Sequence, residues 1–258
     1  MIETKLVQKF GNSGHVVLPK EYVGKRIRFI AEPKTFEDVK SEVLEFLMPY
    51  LDNILGVYLY GSYARNEQTF DSDVDIFVVS SAKLKIIDKI GNYSIISLTL
   101  DEINETLENN AILILPILKE AKAIINLDLL ERYRGCKFTK RNIKGFIDSS
   151  LHILELNKKG LELNFEVGSI VYSLILRIRG LLMIKIILAD KLYSKSYLFN
   201  FLENNNLSKD KVEELYKIYS NERNNIRVIK SDVINKEDLA KLIIITEKLL
   251  QDAKRLLK

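Results

Sequence analysis

Four residues in one short stretch could do chemistry together. In LYGSYARNEQTFDSDVDIFVV, residues 59–79, Gly61-Ser62 is followed after ten residues by Asp73 and Asp75. Residues two apart on a strand point to the same face, with Cα atoms roughly 6–7 Å apart. Asp73 and Asp75 therefore place two carboxylates side by side, while Val74 and Ile76 turn to the opposite face. Such a pair is costly unless a cation neutralises it, and carboxylate and phosphate oxygens are the ligands that Mg²⁺ favours. Gly61 lets backbone approach a phosphate closely, and Ser62 adds a hydroxyl and an N–H as donors. A solvated acidic turn at Asp71 and Asp73 is the plainer alternative, but it does not account for Asp75 inside an apolar run.

The elements around these residues must hold them. Phe36–Met48 has apolar spacing at Val39, Val43, Leu44 and Leu47 and predicts a helix. Gly56–Tyr60 predicts a strand leading into Gly61, with a short helix over 62–67. Val74–Val79 is a nearly unbroken apolar run, as expected of a strand buried on both faces. A helix is predicted over Lys83–Lys89, a strand over Tyr93–Leu98, and a helix opened by the capping box Thr99-x-x-Glu102. Ala111–Ala123 reads as helical around Pro116, with a short strand at Ala123–Asn126. From Leu127 onward only helical patterns occur: Leu127–Tyr133, Lys140–Lys158, Phe165–Lys191, Ser194–Asn204, Lys209–Asn224 and Lys236–Lys258, with Ser208 and Asn235 at N-cap positions. A bundle of antiparallel helices is the economical arrangement.

The Gly-Ser, ten-residue spacer and Asp-x-Asp between apolar strands resemble the minimal nucleotidyltransferases of the DNA polymerase β superfamily. Ala64-Arg65 and Ser72 also stand where that family has them, whereas Asn66 stands where glycine is common. The resemblance implies a nucleoside triphosphate substrate, ATP or another, with Mg²⁺ or Mn²⁺, and transfer of a nucleotidyl group to an acceptor. Asp73 and Asp75 would hold the metal, and Gly61, Ser62, Arg65 and Ser72 the nucleotide. The family usually adds a third carboxylate on the next strand. Here that strand, Tyr93-Ser94-Ile95-Ile96-Ser97-Leu98, contains none. Asp101, just beyond it, is the candidate for the third catalytic position, while Glu102 is the capping-box partner of Thr99. Otherwise the acceptor's base comes from elsewhere or activity is weakened.

Before this unit, KLVQKF at 5–10, His15–Leu18 and Arg26–Ile30 read as three strands, with turns at Gly11–Gly14 and Gly24, and residues 31–35 form a linker. Gly11-Asn12-Ser13 and Leu18-Pro19-Lys20 resemble the AbrB/MazE swapped-hairpin family, which implies dimerisation and DNA contact through Lys9, Lys20, Arg26 and Arg28. Three short strands bury too little to be stable alone. The C-terminal helices resemble HEPN and kanamycin-nucleotidyltransferase bundles in architecture. Arg223 in ERNNIRVIK lacks the histidine that a HEPN ribonuclease needs, which argues against RNase activity. Arg177 and Arg179 interrupt an apolar helix and are candidates to reach the cleft and contact phosphate or acceptor; the alternative is a structural or snorkelling pair.

The 258 residues, 47% hydrophobic and 29% charged, describe a globular chain. Its net charge of +4 is uneven: residues 1–30 carry six Lys/Arg against two Asp/Glu, residues 31–126 eight against sixteen, and residues 127–258 twenty-five against seventeen. An acidic middle beside a basic C-terminal part suits a metal-nucleotide site. One cysteine, Cys136, excludes an internal disulfide and suits a reducing, cytoplasmic setting. The charges in Phe165–Lys191 exclude a membrane span. The expected architecture is α+β: an AbrB-like hairpin module at 1–31, a mixed-sheet nucleotidyltransferase core at 36–126 and a helical bundle at 127–258. The expected protein is a homodimer that transfers a nucleotidyl group, AMP from ATP foremost, to a protein, RNA or small molecule. The alternative is an antitoxin-like or transcriptional DNA-binding regulator with a degenerate transferase fold.

Overall fold

The computed structural model describes residue 5 and residues 7–29, 32–70 and 72–256. Leu6, Ile30, Ala31 and Asp71, which belong to the expected first and third strands, the linker and the acidic turn, lie outside the described residues. A two-stranded hairpin comes first: β1 (Gln8–Phe10) pairs antiparallel with β2 (Ser13–His15). The second strand thus forms ahead of its expected place at His15–Leu18. No third strand forms over residues 25–29. The paired stretch is only three residues long on each side, and a two-stranded hairpin of that length gives a third strand little to pair with.

Helix α1 (Phe36–Leu47) starts at a Thr35–Asp38 capping box and buries Val39, Val43 and Leu47. Each such side chain contributes about 1.5–3 kcal/mol of burial. A five-stranded sheet follows. Strand β3 (Ile54–Tyr60) leads through the single turn α2 (Gly61–Ala64) to β4 (Val74–Ser80). Next come β5 (Lys89–Ile90), β6 (Tyr93–Thr99), α3 (Leu100–Asn109), α4 (Leu115–Glu120) and β7 (Lys122–Ile125). The order across the sheet is β5-β6-β4-β3-β7, with β4 and β6 parallel and the other pairs antiparallel.

Alternation assigns the faces. Val57, Leu59, Val74, Ile76, Val78, Tyr93 and Ile95 pack against α1. Tyr58, Phe77 and Val79 face the other way, onto Ile103 of α3, Leu118 of α4, and Leu130 and Tyr133 of α5 (Leu127–Arg134). The expected helix over Lys83–Lys89 is absent. Gly91-Asn92, with Gly91 at φ +59°, closes a two-residue hairpin that pairs Lys89 with Ser94 and Ile90 with Tyr93. The helix expected over Ala111–Ala123 breaks into a 3-10 turn at Ala111–Leu113 and α4, with Pro116 tolerated in the first turn of α4.

The remaining helices are α6 (Lys140–Glu162), α7 (Val167–Leu188), α8 (Lys195–Glu203), α9 (Lys209–Arg223) and α10 (Lys236–Leu256). Helix α7 is central, and Ile170, Val171, Leu174, Ile175, Ile178, Leu181 and Leu182 are all buried. A helix apolar on most of its circumference can sit only where neighbours surround it, here α6, α9 and α10. Asn235 and Asp238 form the expected cap of α10 reciprocally. Ser208 occupies the cap position of α9 without a side-chain bond. Among the described residues no helix is long and apolar enough to cross a membrane.

Candidate active site

The turn between β3 and β4 builds the site. Tyr60, the last residue of β3, lies opposite Asp75 on β4, and the chain then turns sharply at Gly61, whose φ is +74°. A Cβ at position 61 would lie 2.2 Å from Asp75 Oδ2 and 3.1 Å from its Cγ. Glycine is required twice over, for its left-handed backbone and for the space that the carboxylate fills. Asp75 shares the sheet face of Tyr58 and Phe77, opposite Val74 and Ile76, as the alternation requires. Asp73 immediately precedes β4 and is exposed.

No hydrogen-bond donor among the described residues reaches the Asp75 carboxylate. Burial pushes its pKa up to about 6, aided by the charges of Asp73 and Glu120, while Arg223 and Arg65 oppose the rise. The Ser62 hydroxyl likewise has no hydrogen-bond partner among the described residues. Two carboxylates, one of them half-buried without a donor, a free hydroxyl and a backbone with no Cβ in the way form an oxygen donor set suited to Mg²⁺ with phosphate oxygens. No group of three or more His, Cys, Asp or Glu stands close enough to hold a metal alone among the described residues. Water and phosphate oxygens would complete the coordination.

The other expected residues divide. Ser72 accepts from the Thr69 N–H at 2.8 Å and stabilises the loop. Arg65 is held by two carboxylates, Glu67 and Glu120, each at 2.8 Å. Asn66 has φ +57°, a left-handed backbone that glycine adopts freely and asparagine is one of the few other residues to tolerate. Asp101 lies away from the site. It opens α3 beyond the end of β6, whereas the residue in register with Asp75 on β6 is Ser94. The offset of five residues from Ser94 to Thr99 is roughly 16 Å along the strand. Thr99 and Glu102 do form the expected capping box.

Arg177 and Arg179 do not act as a pair, because residues two apart on a helix point about 200° away from each other. Arg177 lies over Phe146 of α6, 5.4 Å from the ring centroid, and its buried Nε has no hydrogen-bond partner among the described residues. Arg179 is clasped by the hydroxyls of Tyr193 and Tyr219, and its charge reaches Glu120. Lys9, Lys20, Arg26 and Arg28 are exposed around the N-terminal hairpin.

Two site residues escaped the sequence reading. Glu120, at the end of α4, accepts the Gly61 N–H at 2.9 Å. Arg223, at the end of α9, is the cation with the largest effect on Asp75. ERNNIR drew attention only for a ribonuclease pattern, and nothing local in LPILKE marks Glu120.

Residues 42–129 match the family described as "Polymerase beta, Nucleotidyltransferase". Residues 4–30 match one described as "Putative transposon-encoded protein". A Methanocaldococcus jannaschii protein named "Putative protein adenylyltransferase MJ1547" is 44% identical over 45 residues, 16% of this chain and 37% of that protein. The chain thus spans little more than a third of that relative's length. Among solved structures, spectinomycin adenyltransferase AAD(9) from Enterococcus faecialis with ATP and spectinomycin is 17% identical with a TM-score of 0.46, covering 84% of this chain and 99% of that one. A nucleotidyltransferase-like protein from Exiguobacterium sibiricum is 13% identical with a TM-score of 0.36, covering 83% and 75%. The Gly-Ser turn and both aspartates lie inside residues 42–129, the segment that matches the polymerase β nucleotidyltransferase family.

Proposed function

We propose that this domain binds an NTP with Mg²⁺ or Mn²⁺ and transfers its nucleotidyl group to an acceptor. The observation that carries this reading is the Asp75 carboxylate, half-buried against Gly61 with no donor of its own and with Asp73 beside it. The name of the M. jannaschii relative favours AMP as the group and a protein as acceptor. Asp73 and Asp75 would hold the metal, whose positive charge would favour both the attacking and the leaving oxygens. Gly61 and Ser62 would orient the triphosphate. An acceptor hydroxyl, giving up its proton to water, would attack the α-phosphorus, the bond to the β-phosphate oxygen would break, and pyrophosphate would leave. Arg223, whose charge acts on Asp75, would meet phosphate from the helical side.

The N-terminal segment suits a second copy of the chain, since Phe10, Val17, Val23 and Phe29 are exposed at 69%, 70%, 81% and 87%. Its exposed lysines and arginines suit DNA phosphates.

The test is incubation with α-labelled ATP, Mg²⁺ or Mn²⁺ and cell extract. Label should pass to an acceptor with wild-type protein and not with Asp73→Asn or Asp75→Asn. ATP affinity indifferent to both aspartates would overturn the reading.

A further inference from the structure

Strand β7 runs antiparallel beside β3, with Lys122 opposite Leu59. Continuing that register by two residues sets Glu120 opposite Gly61, where the chain leaves the sheet. The Gly61 N–H therefore has no strand partner, and the Glu120 side chain takes it, Oε1 accepting at 2.9 Å. The other oxygen, Oε2, pairs with Arg65 Nη1 at 2.8 Å; these side chains are only 10% and 19% exposed. Arg65 Nε reaches Glu67 at 2.8 Å, and the far oxygen of Glu67 accepts the backbone N–H of Lys195 at 3.2 Å. One hydrogen-bonded chain thus runs from the start of α8 through Glu67, Arg65 and Glu120 to the Gly61 amide.

This arrangement controls two things. The Asp75 carboxylate occupies the space where a Cβ of residue 61 would lie, so whatever fixes the direction of the Gly61 amide also fixes the gap that the carboxylate fills. Arg65, meanwhile, is a cation whose field already reaches Asp75. Without Glu120, Arg65 keeps Glu67 on Nε, but its released Nη1 end could turn to the nearest unpaired carboxylate and compete there with a metal ion.

We propose that Glu120 is the positioning residue of the nucleotide site: one oxygen anchors the Gly61 turn and the other restrains Arg65, leaving Asp75 open to Mg²⁺. This rests on the nucleotidyltransferase reading. It assigns Glu120 no contact with the reacting atoms.

The experiment is Mg-ATP binding by titration calorimetry, with thermal melts alongside. Glu120→Gln keeps the shape and an acceptor for the Gly61 N–H but loses the charge that restrains the Nη1 end of Arg65. It should bind Mg-ATP about 10-fold or more weakly, as supporting residues of metal sites do. Adding Arg65→Gln removes the freed cation, so the double variant should bind more tightly than Glu120→Gln alone. A merely structural role would make the double variant worse, because two buried contacts rather than one are lost. The proposal is overturned alone if Mg-ATP binding depends on Asp75 but not on Glu120, or if Arg65→Gln brings no recovery. Wild-type protein that fails to bind Mg-ATP, or binds it regardless of Asp75, overturns the underlying reading and this proposal with it.

Discussion

Asp75→Asn should make the metal-free protein more stable, and by an amount that depends on pH. The Asp75 carboxyl is raised from the usual 3.8 to about 6, chiefly by burial. At 1.36 kcal/mol per pH unit, that rise corresponds to roughly 3 kcal/mol of cost for carrying the charge in the folded state. Between these two values the folded protein holds a proton that the unfolded chain has released. Stability therefore falls as pH rises from about 4 to 6, and the whole cost is present above about pH 7. Asparagine has nearly the same shape and no charge, so the variant should approach a gain of about 3 kcal/mol at pH 8 and show none at pH 4. For a chain of this size each kcal/mol moves Tm by about 2–4 °C. Urea unfolding at pH 4, 6 and 8 measures the difference directly, provided the slopes with denaturant agree. Added Mg-ATP should reverse the order, stabilising wild-type protein by mass action and leaving the variant unmoved. A variant no more stable than wild type at pH 8, or equally favoured at pH 4, would refute the claim that Asp75 carries an uncompensated charge.

Three further outcomes are expected. Gly61→Ala should lose about 1–2 kcal/mol from its left-handed backbone alone, and its Cβ must displace Asp75, so Mg-ATP affinity should fall together with stability in calorimetry and melts. Asp101→Asn should leave Mg-ATP affinity and any label transfer at wild-type levels, because it lies at the far end of β6; loss of transfer would return Asp101 to the site. Removal of residues 1–31 should turn a dimer into a monomer by light scattering, since the hairpin leaves its large apolar side chains uncovered within one chain; an unchanged mass would show that this segment does not mediate assembly.

The local part of this protein was legible in its sequence. Period-two alternation placed Asp75 opposite Val74 and Ile76, because a strand has only two faces. Thr99-x-x-Glu102 announced the start of α3, because a capping box closes within four residues. The left-handed turn at Gly91-Asn92 was also a local signal, overlooked in favour of a helix over 83–89, although it is what creates β5. Tertiary structure decided the rest. Glu120 is 59 residues from Gly61 in the chain and meets it only because β7 pairs with β3. Arg223 acts on Asp75 although it is 148 residues away in the chain, on a helix of the C-terminal bundle. Arg177 and Arg179 looked equivalent as two cations in an apolar helix, but opposite neighbours, Phe146 on one side and Tyr219 on the other, gave them different surroundings. Asp101 followed the right strand yet stands at its wrong end, because β4 and β6 run parallel and only Ser94 keeps register with Asp75. Spacing reports faces and turns, whereas the partners of a buried charge are chosen by which strands pair and which helices cross.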